Sequence, residues 1–234
     1  MDSMSLIKKN VMEKKLDYDT LIKEWKNNRP DYEDFSDDGI LIEEIWSQTI
    51  PKVLFLLKEP NSDFVHIRGN SYSPKSGNSH VFWRNINIWQ YILSEFWNDR
   101  VPSLDKIKIV KEKDVNSIAY VNLKKCNENN SISKLQNIRE YVLNDNLFLK
   151  RQLELINPDI ILCCGTMKFY KELFSSQFIS QNVYRTKDWL VVDFYHPSCR
   201  IGYKKTFDLL CTFINNEHVK RNLYEIRGIF RLTK

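Results

Sequence analysis

Between Val53 and Leu57 the chain is apolar without interruption, and it then passes at once into Lys58, Glu59, Pro60 and Asn61. A short unbroken apolar run stopped by turn residues predicts a strand buried on both faces that ends in a loop. Three more runs read alike, at 117–121, 159–164 and 189–194. They end in Asn122-Leu123-Lys124-Lys125-Cys126, Gly165-Thr166 and His196-Pro197-Ser198. Elsewhere the apolar positions recur at helical spacing. Phe82, Ile86, Trp89, Ile92, Leu93 and Phe96 predict a helix over 81–97, and helices are expected near 133–155, 167–173 and 203–219. Leu6, Val11, Leu16, Leu21, Ile22 and Trp25 predict one over 4–28, broken at most once. Asn27-Asn28-Arg29-Pro30 ends it, because proline cannot continue a helix and disfavours one before it. The remainder reads as an acidic loop (31–38), a short helix (40–48), a long polar loop (61–80), a charged connection (106–115) and a short edge strand or tail (224–232).

Strands alternating with helices argue for a mostly parallel sheet covered on both faces. The expected fold is therefore α/β, a three-layer α/β/α sandwich around a central four-stranded, mainly parallel sheet. With no repeat, low-complexity tract or linker, residues 1–234 form a single expected domain. It comprises an N-terminal helical extension (1–50), an α/β core (51–212) and a C-terminal tail (213–234).

Composition narrows this reading modestly. The formal charge of +5 is mildly basic and compatible with a nucleic-acid partner. Lysines and arginines cluster at 106–113, at Lys124-Lys125 and at Arg200, Lys204 and Lys205, and each cluster taken alone reads as a solvated loop. No stretch approaches the ~20 apolar residues of a membrane span, and the N-terminus lacks the apolar core of a signal peptide. A cytoplasmic protein without a membrane partner is expected. The five cysteines form no C-x-x-C pair and two of them, Cys163 and Cys164, lie inside an apolar run. Buried reduced thiols are expected rather than disulfides or a zinc site, and four histidines leave little for a metal centre.

Ligands of open α/β sheets bind beyond the carboxyl ends of the strands, so the four loops share the rim where chemistry is expected. Here the chain resembles the uracil-DNA glycosylase superfamily. The resemblance rests on the apolar strand running into Glu59-Pro60, on YVNLKKC (Tyr120 to Cys126), on INPDIILCCG (Ile156 to Gly165) and on His196-Pro197-Ser198, in family order over roughly residues 50–210. Four weak motifs in register make a fairly specific signal.

The resemblance implies a monofunctional DNA glycosylase that flips a pyrimidine nucleotide from the stack and excises its base, leaving an abasic site. Glu59 would stabilise the sugar cation and activate water, and His196 would donate to the carbonyl oxygen of the departing base. The Asn122 amide would read the pairing edge. Phe82, with His80 and Trp83 close behind, would stack on the base. Ser62, Ser198, Arg200 and Lys204 would hold phosphates, and Ile201 or Tyr203 would fill the vacated space. Plain structural readings stand beside these: Glu59 paired with Lys58 or Arg68, His196 as a capping residue, Asn122 fixing a turn, and Phe82 or Trp83 in the core.

Departures from the family pattern matter too. Leu57 stands where a glycine is usual, and Asn61 stands where the classical uracil enzymes place a tyrosine that excludes C5-substituted bases. The expected substrate is therefore uracil or a C5-modified cytosine, such as the glucosylated hydroxymethylcytosine of phage DNA, with a role in antiviral defence. Only Cys126 matches a ligand of the iron–sulfur members, so no cluster, metal or other cofactor is expected, and a monomer is. The alternatives are a catalytically inactive DNA- or nucleotide-binding protein and, more weakly, an N-glycosidase acting on free nucleosides.

Overall fold

The computed structural model describes residues 3–60, 68, 79–107, 116–126 and 134–228, with side chains from residue 16 onward and only the backbone at 79 and 80. The predicted apolar runs form the centre of the sheet: β2 (Val53–Leu57), β3 (Ala119–Asn122), β4 (Ile160–Cys164) and β7 (Leu190–Phe194). They pair in parallel in the order β3-β2-β4-β7. Nearly every residue in them is buried, as strands covered on both faces require.

The sheet has seven strands rather than the expected four. β1 (Gly39–Ile40) pairs antiparallel with β3. A hairpin of β5 (Gln177–Ser180) and β6 (Val183–Arg185) adds antiparallel to β7. These strands escape sequence reading for a physical reason. β1 is two residues long. The hairpin is half exposed, turns through Asn182 at φ 58° and carries a register shift between Phe178 and Ser180, so no period-2 pattern develops.

Alternation along the strands divides the interior into two cores. Val53, Phe55 and Leu57 face a cluster built with α3 (Ser79–Trp97), α8 (Tyr203–Ile214) and α9 (Glu217–Ile226). Leu54 and Leu56 face α1 (Ser3–Asn28), α5 (Leu135–Asn144), α6 (Asn146–Ile156) and α7 (Met167–Leu173). The N-terminal helix runs unbroken and seals one face of the sheet with Tyr18, Ile22 and Trp25, so residues before 51 contribute to the core. Two short helices, α2 (Glu43–Gln48) and α4 (Leu104–Ile107), complete the set among the described residues.

Several boundaries differ from expectation. The helix expected near 133–155 is two helices, α5 and α6. Asp145 separates them because its buried carboxylate accepts from Arg29 Nε at 2.6 Å and from the Tyr32 hydroxyl at 2.7 Å. The helix expected over 203–219 stops at Ile214. The chain then re-enters a helix at Glu217, capped by the Asn216 side chain, and that helix runs to Ile226, into the segment 224–232 where a short edge strand or tail was expected. Residues 229–234 lie outside the described ones.

Candidate active site

Pairing between β2 and β3 runs past the ends of both strands. The Leu123 N–H donates to Leu57 O and the Lys124 N–H to Lys58 O, both at 2.9 Å. Lys58-Glu59 and Leu123-Lys124 therefore lie side by side. Lys124 Nζ reaches Glu59 Oε2 at 3.3 Å, with the lysine side chain fully buried and the glutamate 13% exposed. This corrects the solvated reading of the Lys124-Lys125 cluster. Two charged groups withdrawn from water persist only when paired, and the second lysine obeys the same rule. Lys125, also fully buried, meets Asp38 Oδ1 at 2.5 Å. Burial lowers the Lys125 pKa, and the neighbouring Asp38 charge opposes that shift. Arg68 is not the partner of Glu59; it pairs with Asp37 and Asp19.

His196 lies two residues beyond β7. The Ser198 N–H donates to its Nδ1 at 3.2 Å, which leaves the proton of a neutral ring on Nε2. Burial, assisted by the Lys58 charge, pushes its pKa down to about 4, so the ring is a neutral donor at pH 7. The Asn85 amide ties the loop to α3 by donating to Pro197 O at 2.6 Å. Gly165, at φ 70°, donates to Phe194 O at 2.8 Å and so joins the ends of β4 and β7. Lys58 lies over this turn, its Nζ 3.8 Å from where a Cβ of residue 165 would stand.

The predicted stacking residue sits at this rim. The ring of Phe82 is 6.0 Å from that of His196 and 6.0 Å from that of Tyr120, and 6% of the residue is exposed. Trp83 is wholly buried core; the His80 side chain is outside the described residues. Burial pushes the Tyr120 hydroxyl pKa up, and the neighbouring Asn122 side chain acts in the opposite sense.

Asn122 is fully buried at the end of β3. Its backbone N–H and its Nδ2 both donate to Asp38 Oδ2, at 2.8 and 3.0 Å. The second carboxylate oxygen of Asp38 accepts from Lys125 and, at 3.0 Å, from Gln152 Nε2. The Tyr18 hydroxyl donates to the Asp38 backbone carbonyl at 2.7 Å. Gly39 permits that approach, since a Cβ there would collide with the Tyr18 ring. Sequence reading missed Asp38, which looks like one more acid in an acidic loop. The Gly after it and two lysines in a buried motif were the available signals.

Ser198, Arg200, Ile201 and Lys204 are exposed beside this rim, and Tyr203 is half-buried beneath the Arg84 guanidinium at 5.5 Å. Arg84 is a second residue that the motifs did not indicate. Asn61 and Ser62 lie outside the described residues. Thus Glu59, Asn122 and His196 lie at or just beyond the carboxyl ends of β2, β3 and β7, with the Phe82 ring near those of His196 and Tyr120, the end of the sheet where ligands of this architecture bind. A scan of protein-family models and a search of curated proteins each returned no match.

Proposed function

We propose that the protein is a monofunctional DNA glycosylase of the uracil-DNA glycosylase type, acting as a monomer on a flipped pyrimidine nucleotide. The observation that carries this reading is the pairing of roles on one rim. A carboxylate beside a buried cation (Glu59, Lys124) follows β2, and a neutral imidazole whose Nε2–H takes no part in the bond from Ser198 (His196) follows β7, at the same carboxyl end of the sheet. Cleaving an N-glycosidic bond builds positive charge on the sugar and negative charge on the departing base, and those are the charges these two groups complement.

In the reaction, the bond between C1′ and the base nitrogen breaks and its electron pair leaves with the base. His196 Nε2–H stabilises the developing oxyanion. Glu59 stabilises the sugar cation and accepts the proton of the water that adds to C1′. Phe82 stacks on the extruded base and Asn122 meets its pairing edge. Arg200, Lys204 and Ser198 hold the phosphates. The substrate is uracil or a C5-modified cytosine, the latter suiting a role against phage DNA.

One observation favours a non-catalytic DNA- or nucleotide-binding protein instead: both Glu59 and Asn122 are engaged by other residues of the fold. Base release decides between the readings. DNAs carrying uracil, thymine mismatches, hydroxymethylcytosine and glucosylated hydroxymethylcytosine would be incubated with the protein and with Glu59→Gln, and free base read by mass spectrometry. Release of one base, absent with Glu59→Gln, is expected. Silence across the panel favours the binding protein.

A further inference from the structure

We infer that Asp38 is a positioning residue that fixes the Asn122 amide so that its oxygen, Oδ1, is the atom presented to an N–H donor on the pairing edge of the base. The inference rests on the glycosylase reading above and deepens it.

Asn122 is wholly buried, and its Oδ1 has no hydrogen-bond partner among the described residues. Buried polar atoms are rarely left unpaired, and an orphan of this kind asks for a partner such as a ligand. The identity of the orphan follows from its neighbours. An amide can be turned over without change of shape, and only its hydrogen-bond partners decide which end is oxygen. Asp38 Oδ2 already draws in the Asn122 backbone N–H. A carboxylate oxygen accepts and cannot donate, so the group 3.0 Å from it must be the amide nitrogen. The reversed amide would set oxygen against a carboxylate.

Asp38 cannot readily turn away to relax this constraint. Its other oxygen is held by Lys125 and Gln152, and its main-chain carbonyl by Tyr18. All of these side chains are buried. The carboxylate is thus saturated from three sides, and the direction of the amide is dictated from beneath the site. The complementary ligand is a pyrimidine with an N–H opposite Oδ1, from ring N3 or from an exocyclic amine.

A substrate comparison tests this. Asn122→Ala removes the acceptor and is expected to lower base release more than 100-fold. The wild type is expected to release the base at least 30-fold faster than the same base methylated at its pairing-edge nitrogen, because the methyl group replaces the N–H that Oδ1 accepts. Asp38→Asn/Lys125→Met removes the carboxylate together with the buried ammonium it neutralises and frees the amide to turn over. It is expected to lower base release at least 30-fold and to narrow that discrimination to less than threefold. Equal release of the two bases by the wild type overturns the inference and leaves the glycosylase reading standing, as does a double variant, folded by circular dichroism and thermal melting, that keeps the wild-type rate and discrimination. If the wild type itself releases no base from any DNA of the panel, the glycosylase reading falls and this inference with it.

Discussion

Ser198 and His196 are joined across one proline: the Ser198 N–H donates to the imidazole Nδ1 at 3.2 Å. The bond commits Nδ1 to accepting, and the folded ring, with its pKa lowered from 6.5 to about 4, stays neutral across most of the physiological range. Base release is therefore expected to show no imidazole ionisation between pH 5 and 8. His196→Gln should cost ~10²–10³ in rate, as does loss of an oxyanion donor elsewhere. A rate that falls below pH 6.5 with the profile of a single ionising histidine would contradict the assignment.

The same shift sets a sign for stability. Because the folded pKa lies below the unfolded one, the unfolded chain binds the extra proton as pH falls from 6.5 to about 4. Stability declines in that window and is unaffected by this group above it. At 1.36 kcal/mol per unit the decline is at most about 3–4 kcal/mol, and His196→Gln should abolish this component of an acid denaturation series.

Breaking the Glu59–Lys124 pair should affect stability and activity differently. Glu59→Gln leaves a fully buried ammonium without its carboxylate, which costs roughly 3–5 kcal/mol for a buried pair. The double variant Glu59→Gln/Lys124→Met should recover most of that stability in urea titrations and none of the base release.

Phe82→Leu preserves an apolar side chain of similar volume in a nearly buried position, and should change stability by less than about 1.5 kcal/mol. Stacking of a base on an aromatic ring contributes roughly 1–3 kcal/mol, so base release should fall about tenfold or more. Equal rates for the two proteins would remove Phe82 from the site.

Arg200 and Lys204 are exposed, and replacing either with alanine should leave stability within ~0.5 kcal/mol of wild type. Deleting one cation that neutralises a phosphate should reduce the slope of log K against log salt by about 1, irrespective of DNA sequence. Binding titrations at several salt concentrations measure that slope.

The central strands were legible because a strand buried on both faces must be apolar at every position, as Val53–Leu57 is. The positions of Glu59, Asn122 and His196 followed from where such strands stop. Burial of Lys124 and Lys125 was not legible, since a lysine beside another lysine has the same local pattern in solvent as in a core. What buries them are carboxylates 65 and 87 residues away, and no local period reports a partner at that distance. Asp38 was hidden for the same reason, and β1 because two residues carry no pattern.

The carboxylate of Asp38 also has a kinetic meaning. It ties together residues separated by 84, 87 and 114 positions along the chain. Contacts of such span are entropically costly to close and tend to form late in folding. This rim should thus mature after the sheet has assembled and the first helix has docked. A chain emerging from the ribosome would carry Asp38 well before its partners at residues 122, 125 and 152, and β4 and His196 follow later still.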